Sequence, residues 1–136
     1  MSLFSIVYVS SARAGLRRPD LEAIATGARE FNGSRCITAL LLHGDGSFMQ
    51  ALEGEESLLL DLYTRIRNDR RHGGVITLVA EPLAEREFAG FAMAFENLQL
   101  PLPTEHSHFH GGVAAAGNRG RSYRLLQGFR ERALGG

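Results

Sequence analysis

Two residues combine versatile hydrogen bonding with positions that ought to be buried: Tyr8 and Gln50. Gln50 lies in the run Phe48-Met49-Gln50-Ala51-Leu52-Glu53-Gly54, where strand alternation points it the same way as Phe48 and Leu52. Tyr8 shares a side with Phe4 and Ile6 in the first apolar stretch. An amide exchanges donor for acceptor by a half-turn, and a phenol can give up or take back a proton or an electron. Together on one sheet face they would form a switchable hydrogen-bond pair. The plainer readings are a core tyrosine with its hydroxyl at the rim and a glutamine on an edge strand.

Other chemistry-bearing groups are weaker. The run His106-Ser107-His108-Phe109-His110 places histidines at alternate positions, as a metal site could, but no carboxylate or cysteine cluster accompanies it. A flexible polar loop is the preferred reading. Arg65, Arg67, Arg70, Arg71 and His72 resemble a nucleic-acid patch, yet Asp61, Asp69 and neighbouring glutamates dilute it into a solvated helix end. The sequence shows no nucleophile–base set, no P-loop and no glycine-rich dinucleotide fingerprint.

The elements that must position Tyr8 and Gln50 follow from periodicity. Residues 3–10 alternate and are rich in Ile, Val and Tyr, which predicts a strand. Pro19 suits a first helical position, and Leu21, Ile24, Ala25, Ala28 and Phe31 form one apolar helix face ending at Asn32-Gly33. Residues 36–43, apolar on both sides, predict a central strand. Gly44-Asp45-Gly46 turns tightly into a strand over 47–52. Glu55, Glu56 and Ser57 open a second helix with Leu59, Leu62, Tyr63 and Ile66 on one face, ending near Asp69. A fourth strand spans 75–80 before Pro82, and a fifth lies around 91–96. Residues 98–120 read as a loop, and Arg121 to Leu134 as a helix with Tyr123, Leu126, Phe129 and Leu134 on one side.

The order β-α-β-β-α-β-β with right-handed crossovers places both early helices on one face of a mixed sheet. The fold class is α+β and ferredoxin-like, with the last helix covering the other face. Parity then puts Tyr8 and Gln50 beneath the two helices. Ile24 and Ile66 would wall the cleft between them, and the Asn32 amide would close one end. Such a pocket suits a flat heteroaromatic ligand, and Arg65, near Asp69, suits a phosphate.

Composition bounds the rest. At 136 residues, 44% hydrophobic and 22% charged, the chain has the make-up of one soluble domain. A formal net charge of zero argues against electrostatic binding to nucleic acid or membrane, although the segment from 100 onward is arginine-rich. All fifteen cationic residues are arginine. No apolar run is long enough to span a bilayer and no signal pattern is present, so a cytoplasmic location is expected. Cys36 is expected to pack as a small hydrophobe within its strand.

In this order, Val7-Tyr8-Val9-Ser10, Asn32, Ile37-Thr38-Ala39-Leu40-Leu41-Leu42, Phe48 to Gly54, Arg65-Ile66, Asp69-Arg70-Arg71-His72, Glu81-Pro82 and Met93 resemble the BLUF family, sensors of blue light using FAD. The resemblance runs from about Leu3 to Phe95. It implies a noncovalent flavin, FAD or alternatively FMN, held by Tyr8, Ile24, Asn32, Phe48, Gln50, Arg65, Ile66 and Asp69. It also implies a photoactive switch of Tyr8, Gln50 and Met93. Tyr8 would give an electron and then a proton to the light-excited flavin. Gln50 would rotate or tautomerise, a new hydrogen bond to the flavin C4 carbonyl would shift absorption to the red, and Met93 would sense the change.

Certain positions depart from the family pattern. Phe31 stands where a polar residue is frequent. Cys36 and Ala39 replace common glycines, which predicts tighter packing, and Phe91 replaces a frequent tryptophan, with Ala92 after it in place of serine. The reading is a noncatalytic sensor over 1–97 with a loop and helical extension over 98–136. It would signal to a downstream protein and form homo-oligomers. A light-insensitive interaction module of the same fold is the alternative.

Overall fold

The computed structural model describes residues 2–90, 93–98 and 120–135. The elements are β1 (Leu3–Ala12), α1 (Arg18–Gly33), β2 (Thr38–Gly44), β3 (Ser47–Glu55), α2 (Glu56–Arg67), β4 (His72–Pro82), β5 (Ala94–Asn97) and α3 (Arg121–Ala133). Phe91, Ala92 and the histidine run at 106–110 lie outside the described residues.

The five strands form one sheet in the order β4-β1-β3-β2-β5. β1 runs antiparallel to both β3 and β4, β2 antiparallel to β3, and β5 parallel to β2. This is the expected mixed ferredoxin-like sheet with a fifth strand added beside β2. Alternation along the strands builds two cores. Ile6, Tyr8, Leu41, Phe48 and Leu52 pack against Leu21 and Ala25 of α1 and Leu59 and Leu62 of α2. On the opposite face Val7, Leu40, Leu42, Met49 and Ala51 pack against Tyr123, Leu126 and Phe129 of α3. Each fully buried leucine or valine contributes about 1.5–3 kcal/mol. β2 is buried on both faces, as its continuous apolar run requires.

Local chemistry fixes the ends. In α1 the Arg17 N–H donates to the Asp20 carboxylate at 2.9 Å, with Pro19 inside the first turn. The carboxylate of Glu55 accepts from Leu58 N at 3.2 Å, so Glu55 caps α2 instead of opening it. Asp45 and Gly46 both have positive φ, 56° and 75°, the backbone of a tight two-residue hairpin.

Three further sequence expectations are corrected. Cys36 is exposed and left-handed, with φ 54°, in the turn before β2, so it does not pack in a strand. A glycine's advantage there is backbone freedom, not closer packing. Leu134 lies past the end of α3 and is 51% exposed, off the helix's apolar face. β4 is longer than 75–80 because it follows β1 around two register shifts, and Pro82 still pairs with Phe4 at its end.

Candidate functional site

The β1–β3 register sets Tyr8 directly opposite Gln50. Both are 3% exposed. The Tyr8 hydroxyl donates to Gln50 Oε1 at 2.6 Å, and Gln50 Nε2 faces Met93 Sδ at 3.9 Å. The phenol, amide and thioether thus form one buried row. Burial, reinforced by Tyr63 and Asp69, raises the Tyr8 pKa far above the ordinary phenol range, so Tyr8 is a neutral donor.

The row forms the floor of a cleft of about 400 Å³ between α1 and α2. Ala23, Ile24, Gly27, Ala28 and Phe31 line it from α1, at spacings that put them on one helix face. Leu62, Arg65 and Ile66 line it from α2, Leu41 and Phe48 from the sheet. Ile24 and Ile66 are only half-buried, although both belong to the apolar cluster beneath the helices. A Cβ added at Gly27 would meet nothing within 4 Å, so this wall stands back from its neighbours.

Asp69, Arg71 and His72 line one end. Arg71 clasps the Asp69 carboxylate through Nε at 3.0 and 3.1 Å and Nη2 at 2.6 Å. That pairing lowers the Asp69 pKa and raises that of Arg71. His72 Nε2 lies 2.6 Å from the Ile66 carbonyl, which can only accept, so Nε2 carries the proton. Its Nδ1 lies 2.7 Å from Ser10 Oγ. The imidazole therefore ties the last turn of α2 to β1 beside Tyr8. Phe31 receives two guanidinium groups on its ring, Arg35 at 3.6 Å and Arg65 at 4.5 Å from the centroid. The second contact joins α1 to α2.

The structure gathers Tyr8, Ile24, Phe48, Gln50, Arg65, Ile66, Asp69 and Met93 around this cleft. Asn32 is the assigned residue it does not bring there. Asn32 is 1% exposed in the last turn of α1 and lines a separate depression with Cys36, Thr38 and Arg86, while Phe31 takes the cleft side. In the sequence Arg71 and His72 stand only within a basic run and a family motif, and their roles here rest on contacts that spacing does not encode. Arg29, whose Nε donates to the Met93 carbonyl at 3.0 Å, had no signal beyond a helix-surface arginine. Among the described residues no cluster of metal-ligating side chains exists.

The model of sensors of blue light using FAD matches residues 3–94. The photoactivated adenylate cyclase subunit beta of Euglena gracilis is 41% identical over 87 residues, 64% of this chain, which spans 10% of that protein. A structure titled BlrP1 BLUF superposes with a TM-score of 0.78 at 29% identity, covering 95% of this chain and 90% of that one. Klebsiella pneumoniae BlrP1 with FMN and cyclic diGMP gives 0.76 at 30% identity, covering 94% and 34%. The order of the elements, the cleft they enclose and the match over residues 3–94 agree: the chain belongs to the BLUF family of blue-light sensors.

Proposed function

We propose that the chain is a noncatalytic blue-light photosensor that holds FAD between α1 and α2 and signals through Tyr8, Gln50 and Met93. The buried row Tyr8–Gln50–Met93 carries this reading. The cleft fits a flavin on its own chemistry: two half-buried isoleucines face a flat slot, small residues line the α1 wall, and one amide and one phenol provide polar edges. Ile24, Ile66 and Phe48 would hold the ring system, and Arg65 and Asp69 the ribityl-phosphate side. Asn32 lines the neighbouring depression, and Phe31, the residue before it, takes the cleft side. Its volume, about 400 Å³, lies within the range of small-molecule pockets. FMN is the alternative to FAD, since a relative's structure holds FMN.

Bound flavin would supply absorption of blue light and an acceptor for one electron and one proton. Tyr8 is the donor of both and recovers both on return to the resting state, so no net oxidation occurs. Its proton already lies along a 2.6 Å hydrogen bond to Gln50 Oε1. When the phenol ceases to donate, that oxygen loses its partner and the amide reorients. Reorientation removes Nε2 from Met93 Sδ, and the change passes to the backbone entering β5. Residues 1–97 would then be the sensor and 98–136 the extension. Relatives named as photoactivated adenylate cyclases support output to a signalling effector; in this reading the effector is a separate protein and the sensor assembles as a homo-oligomer.

The test is an absorption spectrum before and after blue illumination. The purified protein should be yellow and shift reversibly to the red. Tyr8→Phe and Gln50→Leu should keep the flavin and lose the normal shift. A normal photocycle in both variants would overturn the assignment.

A further inference from the structure

We infer that Arg29 is a positioning residue for this switch: from α1 it holds the Met93 backbone so that the thioether rests against Gln50. The inference rests on the photosensor reading. Methionine has three rotatable side-chain bonds and adapts to whatever space it is given, so a 3.9 Å contact to one amide requires that its backbone be held. Met93 stands one residue ahead of β5, whose pairing with β2 begins at Leu40 and Ala94. β5 has four residues and, among the described strands, β2 as its single neighbour. A short edge strand has few ladder bonds of its own, so an anchor at its entry has a large share in fixing it.

Arg29 provides that anchor through Nε to the Met93 carbonyl, 64 residues away in sequence. It follows Ala28 and precedes Phe31, both of which line the cleft, so one helix carries a cleft wall and the tether of the reader. Gln50 and Arg29 therefore hold Met93 from two sides, one at its sulfur and one at its carbonyl. Arg29 is itself exposed, which lets it be substituted without opening the core.

The experiment compares Arg29→Ala and Arg29→Lys with the wild-type protein. The chain has three methionines, so a carbon-13 methyl label gives a spectrum in which Met93 is readily assigned. In the dark, Arg29→Ala should move or broaden the Met93 methyl signal, leave Met49 unchanged, and speed amide exchange over residues 94–97 by about tenfold. After illumination it should keep the red shift and alter the recovery rate about threefold or more. Arg29→Lys, which can still donate to the carbonyl, should restore most of each effect. An alanine variant whose Met93 signal, exchange and recovery all match wild type would overturn the inference. Failure of the photosensor reading would appear separately, as a wild-type protein without a light-induced shift, and the two dark measurements would still decide the tether.

Discussion

Tyr8 and Tyr63 stand 5.6 Å apart between ring centroids, yet only one of them can act on Gln50. The Tyr63 hydroxyl is paired with Thr77 Oγ1 at 2.6 Å, on the β4 side of β1. Tyr63→Phe should therefore retain the red shift and its reversal, and cost about 1 kcal/mol in urea unfolding for the lost hydrogen bond. Loss of the light response in that variant would mean that Tyr63 shares the donor's task. At this scale the sequence displayed Tyr8 and Gln50 through parity alone, because a period of two assigns a face. It did not display their pairing, which needs the register between β1 and β3. His72 and Arg29 were illegible for a further reason. Their partners are the carbonyls of Ile66 and Met93, and backbone acceptors leave no mark in a pattern of side chains.

Among the elements, α3 shows how a helix is seated on the sensor. Glu53, at the end of β3, is fully buried and accepts from the backbone N–H groups of Glu87 and Phe88 at 2.7 and 3.0 Å. Glu87 in turn accepts from Tyr123 N at 3.0 Å, in the first turn of α3. It does the work of a cap from a distant loop, because the residue at the N-cap, Gly120, has no side chain to offer. A Cβ at Gly120 would lie 2.8 Å from the Glu87 carboxyl, so glycine also permits the approach. Ser5 and Ser122 hydroxyls meet beside it at 3.2 Å. Glu87→Ala should cost about 1–2 kcal/mol and expose the start of α3 to proteolysis. Unchanged cleavage and stability would show that the apolar face of α3 suffices to seat it. Farther along, Arg130 pairs with the buried Glu96 of β5 at 3.3 Å, so α3 also touches the strand that Met93 enters. The helices themselves were legible from their apolar spacing. This capping was not, since the contacts span more than thirty residues and join backbone N–H groups to carboxylates, which spacing does not record.

For the whole molecule, two buried groups tilt stability with pH in opposite directions. Burial depresses the pKa of His43, against a weaker upward pull from Asn97. Below the unfolded value of about 6.5 the unfolded chain binds a proton that the native state refuses, so this contribution is complete above 6.5 and lost as pH falls through the lowered native value. Glu53 has its pKa raised by burial, against the hydrogen bonds it accepts. Its contribution is present at or below the ordinary carboxyl value and declines as pH rises through the raised one. Urea unfolding across this range should show the His43 part directly: His43→Gln should remove the rise in stability that wild type shows as pH approaches about 6.5 from below. An identical slope in both proteins would exclude His43 as its source. The fold class, the face assignments and the position of the cleft were foreseeable, because burying a period-two and a period-3.6 pattern together leaves few arrangements; the place of β5 beside β2 was not, since alternation assigns a face and not a neighbour.

The turn at Cys36 has a practical consequence. The chain contains one cysteine, and its thiol is exposed. A maleimide dye or nitroxide would therefore attach at a single address without any background substitution. That address lies between α1, whose Arg29 donates to the Met93 carbonyl, and β2, against which β5 pairs. A reporter placed there stands on the seam between the cleft's α1 wall and the strand that the proposed switch would move, so motion of one against the other is open to direct observation in the unaltered sequence.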